Sequence, residues 1–186
     1  MNEVEAVKST DQISAIAGLL ANHDPIYTDI WKFGLNSALR IQDLLSIKFS
    51  DIDLERSSIT LIEKKTGKTR TITLNKPALE IVHRRRVEWP DDNYLFQSHS
   101  PKLKRGAIQP VSRVSVSRAF KRAGDTLNLQ INTHSMRKTR GYMMHKDGEP
   151  IERICKMLNH SHPAVTMRYI GLESEDIANS YREFEL

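Results

Sequence analysis

The sequence predicts a mainly α-helical domain with one small antiparallel β-hairpin, and three observations carry that prediction. Apolar residues recur at helical spacing along much of the chain, and prolines stand at the starts of several of the periodic segments. Two β-branched runs, SSITLIE and TRTITL, flank the Gly-containing turn KKTGK. With 186 residues and 39% hydrophobic content the chain can bury one sizeable core, so residues 1–186 are expected to form a single domain.

The elements follow in order. Ser9 and Gln12 suggest a capping box ahead of DQISAIAGLLANH. Asp24-Pro25 starts a second helix, with apolar positions Ile26, Ile30, Phe33 and Leu35 at roughly helical spacing, and IQDLLSIK gives a short third. Residues 57–74 form the hairpin, and its turn is basic. Pro77 opens a helix running to about Glu88, where Trp89-Pro90-Asp91-Asp92 stops it. SRVSVSRAFKRAG reads as a helix ended by Gly124, and Thr133 can cap THSMRKTRGYMMHKDG. Pro150 starts IERICKMLN, and short helices follow from Pro163 and from Glu173.

Composition excludes several classes. Cys155 is the sole cysteine, which rules out an internal disulfide framework and a thiolate zinc cluster and fits a reducing cytoplasm. MNEVEAVKSTDQ is neither apolar nor basic enough for a signal peptide, and no apolar run approaches the roughly 20 residues of a spanning helix. A soluble intracellular protein with no membrane partner is expected. The net charge of +5 hides an asymmetry. Setting aside one basic and four acidic residues in 1–25, and one basic and five acidic in 171–186, leaves 26 basic against 14 acidic, a net +12. Asn93 to Gly124 holds Lys102, Lys104, Arg105, Arg113, Arg118, Lys121 and Arg122 with no Asp or Glu. Such a face suits a polyphosphate partner, although charge alone is equally consistent with an ordinary solvated surface.

The residues able to do chemistry are scattered along this frame. His134 and Arg137 lie three apart in an expected helix and so leave the same face. The pattern is weak alone, because His83 and Arg86 repeat it on a helix expected at the surface. His160 follows Arg137 by 23 residues, Tyr169 follows His160 by nine, Arg40 lies upstream, and Lys65 sits on the hairpin turn. Each has a commoner structural role: Tyr169 in the core, Arg40 on the carbonyls at a helix end, His160 orienting a turn after Asn159. Lys65 competes with Lys64 and Lys68. Cys155 is expected to be buried and inert.

Taken together, Arg40, Lys65, His134-x-x-Arg137, His160 and Tyr169 resemble, in order, the catalytic series of the tyrosine recombinase, or phage integrase, family. SALRIQDLLSIKFSDID looks like that family's first-arginine box, THSMRKTRGYM like its second and LNHSHPAVTMRYIG like its His-to-Tyr box, so the resemblance spans roughly residues 10–172. It implies the tyrosine recombinase catalytic fold, these six residues as the catalytic set, and no metal or other cofactor. The choice of Lys65 over its neighbours rests on this alignment.

Physical chemistry gives the same roles. Two guanidinium forks, Arg40 and Arg137, can hold the non-bridging oxygens of a phosphodiester and stay charged at any cellular pH. A phenol is almost wholly protonated at neutral pH, so Tyr169 needs a cationic pocket or a base, for which His134 is the candidate. Lys65 on a mobile turn can protonate the departing 5′ oxygen, and His160 can hydrogen-bond a non-bridging oxygen. Since a phosphotyrosine conserves the bond energy, rejoining needs no ATP, and no GxxxxGK[ST] loop is present.

The resemblance further implies double-stranded DNA as partner, contacted by Lys68, Arg70, Lys138 and Arg140 as well as the acid-free stretch, and a cytoplasmic, nucleoid-associated protein of prokaryotic or phage type. A monomer that becomes a homotetramer in the DNA synapse is expected, and accessory DNA-bending proteins are compatible with it. Arg40 lies so near Met1 that the amino-terminal core-binding domain usual in the family is not expected within 1–186, as in an excised catalytic domain or in the small stand-alone recombinases of the family. Asn159 stands where the family often has Gly, with little effect expected because Asn tolerates left-handed backbone. Ile177, Tyr181 and Phe184 recur at helical spacing as a small apolar face in 173–186, a helix expected to pack on a neighbouring subunit in the synapse, with docking on its own core as the alternative. Site-specific recombination leads; type IB topoisomerase-like strand passage and a catalytically vestigial DNA-binding regulator are the alternatives, and the intact catalytic set argues against the last.

Overall fold

The computed structural model describes residues 4, 6–101, 103–104, 106–172 and 181–182. Two capped helices open it. Ser9 Oγ accepts from the Asp11 amide at 3.2 Å, rather than from Gln12 as a capping box requires, and starts α1 (Thr10–Ala21). Asp24 Oδ1 accepts from the Ile26 amide at 3.0 Å and starts α2 (Pro25–Ser37), whose Ile30, Trp31 and Phe33 are fully buried. Each such side chain contributes about 1.5–3 kcal/mol by leaving water, which is why α2 forms the axis on which α1, α4 and α6 pack.

After α3 (Ile41–Leu45) and a 3₁₀ turn at Phe49–Asp51 comes a three-stranded antiparallel sheet ordered β1 (Ile52–Asp53), β2 (Ser58–Ile62), β3 (Thr69–Thr73). The expected hairpin is β2–β3, with Ile59 opposite Ile72. Two-residue β1 pairs Ile52 with Ile59 and is too short to show any alternation in the sequence. The rest is helical: α4 (Lys76–Glu88), α5 (Arg113–Thr126), α6 (Ser135–Lys146), α7 (Ile151–Leu158) and α8 (Pro163–Ile170). The helix expected from Glu173 lies outside the described residues apart from Tyr181 and Arg182. No helix among the described residues is long and apolar enough to cross a membrane.

Two expected boundaries move. Gly124 does not end α5, which continues to Thr126; a Cβ on Gly124 would lie 2.4 Å from the Leu129 carbonyl oxygen, so the glycine serves a close chain crossing. Thr133 does not cap α6: it is buried, while Asn132 and Ser135 make the entry turn and His134 takes the N-cap position. The core has two parts. The larger lies among α1–α5 and the inner face of the sheet, and the smaller joins Ala38 to Ile154, Leu158 and Ile170 under α6–α8. At Gly141 a Cβ would meet Ile170 Cγ2 at 2.7 Å, so this glycine lets α8, which carries Tyr169, lie directly against α6, which carries Arg137.

Candidate active site

The α2–α3 corner and α6 place the two arginines. Ala38 closes α2 in the left-handed conformation (φ 52°), which turns its carbonyl inward and delivers Arg40 at the N-cap of α3. Arg40 therefore precedes its helix and does not bind carbonyls at a helix end. Arg137 is 2% exposed; its Nη1 donates to the Ala38 carbonyl and its Nη2 to the Leu158 carbonyl at 2.7 Å. Burial, with repulsion from Arg40 and Arg70, lowers its pKa from the usual arginine value. A guanidinium has five N–H donors, so three remain for other partners.

Strand alternation explains the next residue. Ile59, Leu61 and Glu63 share the inward face of β2 and its extension, so Glu63 is carried inside, 1% exposed at its side chain. Its carboxylate accepts from Thr66 Oγ1 (2.9 Å), Arg70 Nη1 (3.0 Å) and Asn159 Nδ2 (2.6 Å), and lies 3.3 Å from Arg40 Nη1. Burial alone would raise its pKa, but those hydrogen bonds and the Arg40 charge hold it below the usual carboxylate value. Arg70 Nη2 also donates to the Met157 carbonyl, and Asp43 Oδ1 accepts from the Lys64 amide at 2.9 Å, so α3 and α7 both hold the turn that carries Lys65. Lys65 is exposed, and of the turn's three lysines it is the one whose charge depresses the His160 pKa.

α7 ends at Asn159 in the left-handed conformation (φ 51°), and the chain turns so that the His160 amide donates to the Cys155 carbonyl at 3.0 Å. Cys155 is buried, as expected, with Sγ 3.3 Å from the His160 carbonyl oxygen. His160 Nδ1 lies 3.0 Å from Thr166 Oγ1, and the ring meets Tyr169 edge-on at 4.9 Å between centroids. The Tyr169 hydroxyl is buried and makes no hydrogen bond. Burial raises the phenol pKa; the Arg137 guanidinium, near enough to act on the hydroxyl by charge and by hydrogen bonding although its well-directed N–H bonds run to carbonyls, and the charge of Arg40 oppose that rise without cancelling it. His134 stands exposed at the rim, and desolvation with the charges of Arg137, Arg113, Lys138 and Arg40 lowers its pKa.

Burial and the charges of Arg137, Arg40 and Lys65 push His160 down to about 4 from an ordinary 6.5. Unfolding frees it to take a proton, so the unfolded chain binds more protons between those values and stability falls as pH drops through that window. Between pH 7 and 5 the wild type should therefore lose more thermal stability than His160→Gln, as read by melting curves; parallel losses would contradict this.

The structure gathers Arg40, Arg137, His160 and Tyr169, with Lys65 and His134 at the edge. His83 and Arg86 lie exposed on α4, Arg86 stacked over Phe49 at 3.7 Å. Lys68, Lys104, Arg113, Arg118, Lys121 and Arg122 are exposed, but Lys121 pairs with Asp125 at 2.8 Å, one residue beyond the acid-free stretch. Arg70 and Arg140 are half-buried, and Lys102 and Arg105 lie outside the described residues. Lys138 is buried, with Nζ 5.3 Å above the Tyr169 ring. Sequence reasoning missed Glu63, Asp43 and the Asn159 side chain; a carboxylate at an inward strand position was the available signal. A cavity of about 750 Å³ between α2, α4 and residues 98–101 holds none of these side chains. No group of three His, Cys, Asp or Glu among the described residues could hold a metal ion.

The phage integrase family model matches residues 9–175. The chain is 30% identical over 185 residues to the probable integrase/recombinase YoeC of Bacillus subtilis, covering 99% of this chain and 98% of that protein. It is 27% identical over 151 residues to the tyrosine recombinase XerA of Pyrococcus furiosus, covering 81% of this chain and 51% of XerA. A crystal structure of XerA recombinase superimposes with a TM-score of 0.74 at 19% identity, over 98% of this chain and 65% of that one. A lambda integrase dimer bound to a COC′ core site gives 0.71 at 18% identity, over 91% and 49%.

Proposed function

This chain belongs to the phage integrase family, and from that premise we propose that it is a site-specific recombinase that cuts and rejoins double-stranded DNA through a 3′-phosphotyrosine at Tyr169. One observation carries the reading. In a single cluster, a buried phenol and a buried guanidinium nitrogen, Tyr169 Oη and Arg40 Nη1, both lack a hydrogen-bond partner. A buried hydroxyl without a hydrogen bond costs about 1–3 kcal/mol, and Arg40 Nη1 has only its ion pair with Glu63 at 3.3 Å; the oxygens of a phosphodiester can hydrogen-bond both groups and place phosphorus beside the phenol.

In the proposed step Tyr169 Oη attacks phosphorus as its proton passes to His134, whose lowered pKa keeps the imidazole neutral and able to accept it. Arg40 and the remaining N–H groups of Arg137 hold the two non-bridging oxygens as charge grows there. His160, neutral at pH 7, donates to one of those oxygens from Nε2 while Thr166 fixes its ring through Nδ1. The P–O5′ bond breaks, and Lys65 protonates the leaving oxygen. Reversal by another 5′ hydroxyl rejoins the strand and restores each proton, with no ATP consumed. The exposed basic residues of the acid-free stretch supply phosphate contacts, and assembly into a tetramer on paired sites completes exchange.

The reading is tested by incubating the protein, in EDTA, with nicked suicide duplexes from its genomic neighbourhood. A covalent adduct that depends on duplex sequence is expected. Equal reaction with every duplex, plus relaxation of supercoiled DNA, would favour topoisomerase-like strand passage. A 5′-bridging phosphorothiolate has a leaving group that needs no proton, so it should restore cleavage to Lys65→Ala but not to Arg137→Ala. The same rescue of Lys64→Ala would make Lys64, not Lys65, the general acid.

A further inference from the structure

Glu63 takes no part in the proton or phosphate steps above, yet it is the residue on which the site converges. We propose, building on the recombinase reading, that Glu63 is a positioning residue: it sets Arg40 for the scissile phosphate and, through Asn159, fixes the hairpin carrying Lys65 against the His160–Tyr169 corner. A carboxylate buried to 1% at its side chain is costly unless its lone pairs are used, and here Thr66, Arg70 and Asn159 bond to it while Arg40 lies beside it. If stability alone were at issue, apolar residues in place of the whole Glu63–Arg40–Arg70 cluster would fill this space more cheaply.

The geometry suits positioning. Arg40 Nη1 is 3.3 Å from Glu63 Oε1, an ion pair, but makes no hydrogen bond of acceptable direction, so the carboxylate holds the guanidinium by charge and leaves its N–H groups for a ligand. Two arginines share the one carboxylate oxygen, so the cluster stays net positive toward DNA. The hairpin is tied to the last turn of α7 at two points, Arg70 to the Met157 carbonyl and Glu63 to Asn159 at 2.6 Å. Glycine at 159 would adopt the same left-handed backbone but could not make the second tie. Asn159 is therefore more than a tolerated turn residue, contrary to the sequence-based expectation of little effect.

The test compares Glu63→Gln and Asn159→Gly in the full chain, in single-turnover cleavage of a suicide duplex at saturating DNA, with DNA affinity and melting temperature measured alongside. Glu63→Gln keeps shape and loses charge; cleavage should slow by about 100-fold with DNA affinity little changed, as expected for a misplaced reactive group. Asn159→Gly should slow cleavage by about tenfold, since one of two ties is lost. A 5′-bridging phosphorothiolate should restore Asn159→Gly but not Glu63→Gln, and Asn159→Gly should add nothing in a Lys65→Ala background. Should Glu63→Gln fail to fold, the Asn159 and Lys65 comparison decides alone. Glu63→Gln cleaving at the wild-type rate, or an Asn159→Gly defect that persists in Lys65→Ala, would overturn the inference. A wild type that forms no adduct sinks the recombinase reading and the inference with it, whereas an active wild type with unimpaired variants sinks the inference only.

Discussion

Replacing Tyr169 with Phe is expected to abolish covalent attachment to DNA while leaving DNA affinity nearly unchanged and the fold no less stable. The three parts have separate causes. Phe has no nucleophile, and the other four tyrosines have other neighbours or face solvent: Tyr27 stacks on His23, Tyr94 lies under Lys48, Tyr142 under Lys8, and Tyr181 is 85% exposed. Affinity for DNA comes from many phosphate contacts, to which one buried hydroxyl adds little. Stability should hold or rise, because the hydroxyl is buried without a partner and its removal relieves about 1 kcal/mol of unmet hydrogen bonding. For a chain of this size that corresponds to roughly 2–4 °C in melting temperature. A residual adduct, or a marked fall in stability, would contradict the geometry.

Arg137→Ala is expected to damage both catalysis and fold, and Arg137→Lys to separate the two. Arg137 is the buried link between the α2–α3 corner and the end of α7, through the carbonyls of Ala38 and Leu158. Alanine leaves both carbonyls unpaired inside the smaller core, at about 1–3 kcal/mol each, and should lower the melting temperature by roughly 10 °C. Cleavage should fall at least 10³-fold, the scale on which an arginine stabilises a phosphoryl transition state. Lysine keeps the charge but cannot fork between two carbonyls and a phosphate, so it should recover part of the stability and little of the rate. Single-turnover cleavage and thermal unfolding of both variants check this. If lysine restored cleavage, the bidentate role would be wrong.

How much of this was legible in the sequence depends on range. The helices that start at Asp24-Pro25, Pro150 and Pro163 were readable because proline and capping chemistry are local, as was the hairpin across KKTGK. α6 was misread at its start because Thr133, a good cap by type, is drawn into the core while Asn132 and Ser135 exchange the entry bonds. Gly124 was misread because its reason lies in the Leu129 carbonyl, a tertiary contact. Likewise, order and spacing brought out Arg40, Arg137, His160 and Tyr169, but nothing local shows that Glu63 gathers two arginines and an asparagine from three parts of the chain. Lys138, expected among the DNA contacts, is buried, because sequence does not tell which basic residues fold inward.

Whether Tyr169 forms the bond to DNA can be measured directly. The wild-type protein is trapped on a nicked suicide duplex, digested with protease and nuclease, and the nucleotide-bearing peptide is sequenced by mass spectrometry. A peptide from the α8 segment PAVTMRYI with a 3′-phosphate nucleotide on Tyr169 is expected. A nucleotide on Tyr142, Tyr181 or a non-tyrosine residue, or a link through a 5′ phosphate, would contradict it.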